Sequence, residues 1–314
     1  MAATSADVAR HAGLSRATVS QVLNGHADRF AADTAQRVLE AAKELGYQPS
    51  TAGRMLRTGT SDFVVALVPN TTFGGNLQDI FDAATELLAR KGLTLVLRLS
   101  TQSPSSLDRI LAGMKPRAVL SLQPFTDAER AVLVERDIPG FDTAEGGDLN
   151  DAIGRIQAEH LVSRGYRRLA FAHLRDNRED PYGTDREVAV AEVCSAAGLP
   201  APTVIGLGID LDDAGAALDL LEPGYGVACY NDDIAITLLT AAGLRGWRVP
   251  DDIGLIGMDH TPLSRVTNPR LTTVGYDLTA VAHMTVAAAL GALGQSDVPP
   301  MADINLRVIP GDSA

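Results

Sequence analysis

From Asp62 onward short apolar runs alternate with amphipathic helical segments, and this alternation restricts the fold more than any other feature of the chain. Phe63-Val-Val-Ala-Leu-Val68 is continuously apolar, as a strand covered on both faces must be. A helix-period segment, Leu77 to Lys91, follows and is closed by Gly92. The same reading gives strands over 93–99, 118–122, 168–172, 203–207, 226–230 and 253–258, with a last one over 304–309. Helices are expected over 107–114, 127–136, 150–164, 184–197, 212–221, 232–245 and 277–293. Such alternation builds parallel, doubly wound sheets with helices on both faces. Roughly 250 residues of it exceed what one such unit needs.

The first sixty residues have a different character. Thr4 followed by Asp7 has the spacing of a capping box, Gly13-Leu14 makes a turn, and Ser15 can cap a second helix that ends at Asn24-Gly25. Val19, Val22 and Leu23 form the buried stripe of that second helix, and Val8, Ala12 and Leu14 can close a small core with them. Arg16, Ala17, Ser20, Gln21 and Asn24 fall on the opposite face. Taken alone, this run fits either a solvated helical hairpin or a helix that reads base edges in a major groove. Its context favours the second. A third helix, Asp33 to Leu45, closes at Gly46, and Tyr47-Gln48-Pro49 leads into Ser50 to Arg57.

In this order the chain resembles the lactose repressor (LacI/GalR) family of bacterial transcription regulators. The matching residues are Asp7-Val8-Ala9, Ala12-Gly13, Ser15, Thr18-Val19-Ser20, Leu23-Asn24, Arg37-Val38, Gly46-Tyr47, Pro49, Arg54 and Leu56. The resemblance implies a helix-turn-helix DNA-binding head over 1–48, a hinge helix and linker over 49–61, and an effector-binding and dimerisation body over 62–314. The implied fold class is α/β, with an all-α head and a periplasmic-binding-protein-like body of two doubly wound parallel-sheet subdomains. An N-subdomain would comprise about 62–145 plus 276–298, and a C-subdomain about 146–275 plus 299–314. The implied partners are a double-stranded DNA operator, a carbohydrate or nucleoside-like effector, and a second copy of the chain. No cofactor, metal or membrane is implied.

On the head, Arg16 suits guanine, Gln21 adenine and Ala17 a thymine methyl. Ser15, Thr18, Ser20 and Asn24 suit phosphates, and Thr4, Arg29, Tyr47 and Arg54 complete the expected DNA-facing set. Leu56 matches the leucine with which the family wedges open a minor groove, although Gly53 weakens the short hinge helix by about 1 kcal/mol. In the body, ligands of open α/β sheets sit beyond the carboxyl ends of strands. Phe73, Asn76, Asn231 and Asp259 occupy such ends, and Arg186 lies early in a helix after one. The resemblance supports Asn231 with Asp232, Asp259 and Arg186 in particular. Each also has a plainer reading: Asp232 and Asp251 as caps or turn formers, Arg186 as a partner for Glu179 or Asp180, Phe73 as core. His260 stands where the family has an acid, and Asp142 to Leu149 lacks the usual strand-end pattern, so the pocket chemistry differs from the family's.

Net charge is −12, but residues 1–59 hold seven Arg or Lys against five Asp or Glu, so the acidity belongs to the body. A weakly basic head needs a second copy, base contacts or DNA deformation to bind well. Two cysteines, Cys194 and Cys229, give neither a disulfide framework nor metal-ligand spacing. The N-terminus lacks a signal-peptide pattern and no apolar run reaches membrane length, so a cytoplasmic location is expected. There is no Gly-x-Ser-x-Gly elbow, phosphate-binding Gly-Lys-Ser/Thr loop or paired-His metal motif, so no catalytic residue is expected. The competing functions are a solute-binding protein of the same body fold and a regulator that has lost effector control.

Overall fold

The computed structural model describes residues 3–23, 27–47, 60–72, 75–142, 149–294 and 303–314. Asn24, Arg54, Leu56 and Phe73, together with the expected hinge helix, lie outside the described residues. The chain divides into two compact units, Met1–Asp62 and Phe63–Ala314.

In the first unit, α1 (Ser5–Ala12), α2 (Arg16–Leu23) and α3 (Ala32–Glu44) enclose a small core. Thr4 and Asp7 form the reciprocal capping box that their spacing predicts. Gly13 ends α1 at φ +64, where a side chain would be strained, and this sharp turn sends α2 across α1. Ser15 Oγ accepts from the Thr18 amide at 3.0 Å and starts α2. Val8, Val19 and Val38, one from each helix, are fully buried together. Leu14, Leu23, Phe30 and Tyr47 pack around that centre.

In the second unit, β1 (Phe63–Val68), β2 (Thr94–Leu99), β3 (Ala118–Ser121) and β4 (Gly140–Asp142) form a parallel sheet in the order β2-β1-β3-β4. Helices α4 (Asn76–Ala89), α5 (Pro104–Met114) and α6 (Asp127–Glu135) connect them. A six-stranded sheet holds β5 (Arg168–Leu174), β6 (Thr203–Leu207), β7 (Tyr225–Cys229), β8 (Ile253–Met258), β9 (Thr272–Gly275) and β10 (Arg307–Ile309), in the order β10-β9-β8-β7-β5-β6. It is flanked by α7 (Leu149–Ser163), α8 (Gly183–Ala196), α9 (Leu211–Leu218) and α10 (Asp232–Leu244). After β9 the chain returns to the first sheet: in α11 (Leu278–Ala292), Ala282, Val286 and Leu290 are buried with β1 and α4. It then comes back to the second sheet through β10.

The structure departs from the expected elements in three places. β9 occupies Thr272–Gly275, where no strand is expected, and pairs in parallel with β8. β10 is antiparallel to β9 and shorter than the expected run over 304–309. Asp142, in a stretch without the expected strand-end pattern, closes β4 fully buried, accepting from the Phe125 amide and from Arg130, each at 2.6 Å.

Candidate functional site

On the head, Arg16, Ala17 and Gln21 are exposed on the α2 face opposite Val19 and Val22. That face presents a guanidinium, a methyl and an amide with no acid among them, a set able to contact base edges. Ser15 and Thr4 are exposed but hold cap hydrogen bonds, Ser15 Oγ also pairing with Thr18 Oγ1 at 2.9 Å. Thr18 and Ser20 are half-buried, and Arg29 is exposed beyond α2. Tyr47 packs partly into the head core. Arg37 lies inward, its Nη2 donating to the Ala12 carbonyl at 2.6 Å.

In the second unit, a cavity of about 190 Å³ opens at the carboxyl ends of strands from both sheets. Thr72 follows β1, Leu120 to Leu122 end β3 and Phe141 lies in β4; from the other side come Tyr182 and Arg186, which follow β5, Tyr230 and Asn231 after β7, and Met258 and Asp259 at the end of β8. The two sheets meet here through hydrogen bonds. Tyr182 Oη donates to the Leu122 carbonyl at 2.6 Å, and the Glu179 amide to the Asn70 carbonyl at 2.7 Å. Asn231 Nδ2 donates to the Thr72 carbonyl at 3.1 Å, and Tyr230 Oη pairs with Thr71 Oγ1 at 3.0 Å.

Arg186 lies in the first turn of α8, its guanidinium beside the nearly parallel rings of Tyr182 and Tyr230, whose centroids are 6.4 Å apart. Its Nε donates to Asn150 Oδ1 at 3.0 Å and its Nη1 to the Tyr230 carbonyl at 2.6 Å. The partners are thus Asn150 and Tyr230, in place of Glu179 and Asp180. Asp180 instead faces His173 Nδ1 at 2.6 Å, while Glu187 faces its Nε2 at 2.7 Å. Gly154 on α7 lets α8 come this close, since a Cβ there would lie 2.3 Å from the Arg186 carbonyl oxygen.

Asp259 and His260 both have left-handed backbone, φ +100 and +48, an unfavourable conformation for residues with side chains. The Asp259 amide donates to Val274 at 2.9 Å, and Asn76 Nδ2 donates to the Asp259 carbonyl. The Asp259 carboxylate accepts from Tyr276 Oη at 3.4 Å. Burial, reinforced by the nearby charge of Asp232, pushes its pKa up to about 7.

Asp232 is not a helix cap. It is fully buried, accepting from the Thr261 amide at 2.7 Å and from the hydroxyls of Thr261 and Thr273 at 3.0 and 2.6 Å. The cap is Asn231, whose Oδ1 accepts from Ile234. Of the expected effector residues, Arg186, Asn231 and Asp259 come together in the cavity wall, whereas Asn76 stands behind it as a buried support for Asp259. Asn150, Tyr182, Tyr230 and Tyr276 also line the cavity without being expected. Tyr182 could have been found from its position four residues before Arg186, and Tyr230 from its adjacency to Asn231. Asn150 and Tyr276 carry no comparable local signal.

No group of described His, Cys, Asp or Glu residues is arranged to hold a metal ion, and no described helix is long and apolar enough to cross a membrane. Both cysteines are buried thiols whose pKa burial pushes up.

A helix-turn-helix with a charged and amide-bearing outer face, carried by a chain with a cleft between two α/β sheets, defines a DNA-binding transcriptional regulator. Residues 4–50 match the lacI family of bacterial regulatory proteins, and residues 158–314 match the periplasmic binding protein-like domain. The chain is 32% identical to the HTH-type transcriptional regulator GntR of Pseudomonas aeruginosa, over 93% of this chain and 90% of the relative. It is 30% identical to the ribose operon repressor of Halalkalibacterium halodurans, over 88% of this chain and 86% of that protein. The chain belongs to the lacI family. Its fold is also that of the lac repressor dimer bound to operator and the anti-inducer ONPF, with TM-score 0.81, 20% identity, and coverage of 100% of this chain and 99% of the other. The CelR–cellobiose complex superposes with TM-score 0.68 at 23% identity, covering 99% and 100% of the two chains.

Proposed function

We propose that this regulator is a cytoplasmic repressor that binds a near-palindromic operator as a homodimer, and that a small molecule in the cleft cavity controls it. The cavity carries this reading: its walls come from both sheets, so a ligand there biases how the two halves of the body close. Arg16, Gln21 and Ala17 are assigned to base edges, with Ser15, Thr18 and Ser20 at phosphates. Two copies present equivalent reading helices to equivalent half-sites. Arg186, Asp259 and Asn231 are assigned to the effector, with Tyr182 and Tyr230 beside them. A binding role is assigned in place of an enzymatic one because the chain belongs to a family of transcriptional regulators.

The test is selection of bound DNA from a random pool by the full-length protein, followed by a small-molecule screen for release from the selected site. A two-fold symmetric site and a releasing or tightening compound are expected. A site without symmetry would overturn the dimer reading. Operator affinity unchanged across sugars, glycosides, nucleosides and their charged derivatives would overturn effector control.

A further inference from the structure

One ionisable cluster outside the cavity wall has no part in the proposed function. His173 is buried near the carboxyl end of β5, and each of its ring nitrogens faces a carboxylate: Nδ1 lies 2.6 Å from Asp180 Oδ2, and Nε2 lies 2.7 Å from Glu187 Oε2. Asp180 belongs to the segment between β5 and α8, and Glu187 to α8 itself. Asp180 Oδ1 also accepts from the Gly183 amide at 2.7 Å. Position 183 needs glycine for this approach, since a Cβ there would overlap the Asp180 carboxylate and His173 Nδ1.

An ionised carboxylate only accepts hydrogen bonds. Both contacts are therefore made together only when both ring nitrogens carry protons, which is the imidazolium. A neutral imidazole donates to one carboxylate and turns a lone pair towards the other. The charged ring thus fastens the chain to β5 at Asp180 and at Glu187, and the neutral ring at one of the two. Between these points lie Arg186 and Tyr182, whose hydroxyl reaches the Leu122 carbonyl of the first sheet. Just before them, the Glu179 amide donates to the Asn70 carbonyl across the same cleft.

The other charged groups near this cluster are engaged elsewhere. Asp176 and Arg178 pair with each other, and Arg175 lies along Gly206 of β6, the strand neighbour of His173. On the helices packed over this face, Arg155 of α7 pairs with Asp151 and with Glu192 of α8. At the end of β7, burial pushes the pKa values of Cys229 and Tyr230 up, so both stay protonated.

We propose that His173 is a positioning residue for the bridge between the two sheets: its imidazolium holds the stretch from Asp180 to Glu187 against β5 at both ends, and loss of its proton releases one end and lets the cleft open more readily. Only the consequence for a ligand rests on the reading of the cavity as the effector site, through Tyr182 and Arg186; the fastening itself does not. Burial lowers the His173 pKa, but Asp180 and Glu187 outweigh burial and the net direction is up, so the release falls above about pH 6.5.

Hydrogen exchange on the full-length protein without ligand tests this, each rate being divided by its intrinsic value at the same pH. In the wild-type protein, protection at the Glu179 and Gly183 amides is expected to fall about tenfold from pH 5.5 to pH 9, the weight of one charge-assisted hydrogen bond, while the amides within β7 keep theirs. Two variants have opposite expected outcomes. In His173→Gln a single amide nitrogen cannot reach both carboxylates, so protection is low at both pH values. In Glu187→Gln the new amide donates to the unprotonated Nε2, so both fastenings survive on a neutral ring and protection stays high at pH 9. Asp259, which titrates near pH 7, is present in both variants. A pH dependence that persists in either variant therefore belongs to another group and overturns the inference. Wild-type protection that is the same at the two pH values, or a fall shared by the β7 amides, overturns it as well. No effector enters the experiment, so its failure leaves the effector reading standing, and an effector screen that fails leaves the fastening untouched.

Discussion

Asp259 is a carboxylate that a folding argument alone would remove. It is half-buried in the cavity wall beside another acid, its backbone is in the left-handed region, and one long hydrogen bond serves its carboxylate. The direction of its pKa shift fixes the pH behaviour. A folded pKa of about 7, against about 3.9 in the unfolded chain, means the folded state holds the proton more tightly. Stability at this site is therefore greatest below about pH 4, falls as pH rises towards 7, and stays low above it. Asp259→Asn, which keeps a residue tolerant of left-handed backbone, should stabilise the protein at pH 8 by on the order of 2 kcal/mol and hardly at pH 4. Chemical unfolding at the two pH values checks this, and effector response should fall in the same variant. His173 behaves oppositely. Burial lowers its pKa, but the hydrogen bonds and charges of Asp180 and Glu187 outweigh burial, and the net direction is up. Its stabilising contribution is complete below about pH 6.5 and is lost as pH rises through the higher folded value. The Tm gap between the wild-type protein and His173→Gln should therefore be widest near pH 5.5 and shrink by pH 9; a constant gap would mean the imidazole acts only by packing.

At the scale of elements, the helix caps of the head and the apolar strands of the body are legible because each rests on a few neighbouring residues. Thr4 with Asp7, Gly13, Ser15 and the run Phe63–Val68 each carry their own explanation. β9 is hidden because it is four residues long, half of them threonine, and its stability comes from pairing with β8 and β10. Asp232 is misread as a cap for a related reason. Its partners Thr261 and Thr273 are far along the chain, and adjacent Asn231 performs the capping that the sequence reading offers for Asp232. The close crossing of α7 and α8 is likewise invisible locally, yet it sets the position of Arg186. Gly154→Ala should force the helices apart and cost about 1–3 kcal/mol of stability, by denaturant unfolding. Because the clash is with the Arg186 backbone itself, affinity for any ligand lost in Arg186→Ala should also fall. Unchanged affinity alongside lost stability would show that the displaced helix keeps its guanidinium in place.

For the molecule as a whole, two sheets and an acidic body can be read from alternation and charge, but the way the sheets meet cannot. That meeting depends on backbone groups: the Leu122, Asn70 and Thr72 carbonyls receive Tyr182, the Glu179 amide and Asn231. No residue type announces a carbonyl acceptor, so the bridge from Tyr182 to Leu122 is hidden in the sequence, although the place of Tyr182 four residues before Arg186 marks it as a neighbour of the site. These few contacts bridge the two sheets beside the cavity, and an intramolecular hydrogen bond contributes about 1 kcal/mol net. Removing one should multiply the opening equilibrium about fivefold. Tyr182→Phe does this with little change in the ring beside Arg186, leaving the Leu122 carbonyl without its donor. Hydrogen exchange should then quicken about fivefold at the Glu179 amide, which bonds Asn70 across the same cleft, while the amides within β7 and β8 keep their protection. If a ligand closes the cleft, saturating it should restore much of the lost protection, because a ligand that favours the closed form pulls the equilibrium back by its differential affinity. Protection at Glu179 unchanged by the substitution would mean that Tyr182 bridges the sheets without contributing to closure. Loss of protection at β7 and β8 as well would mean that the two sheets open as one cooperative unit rather than about the cleft.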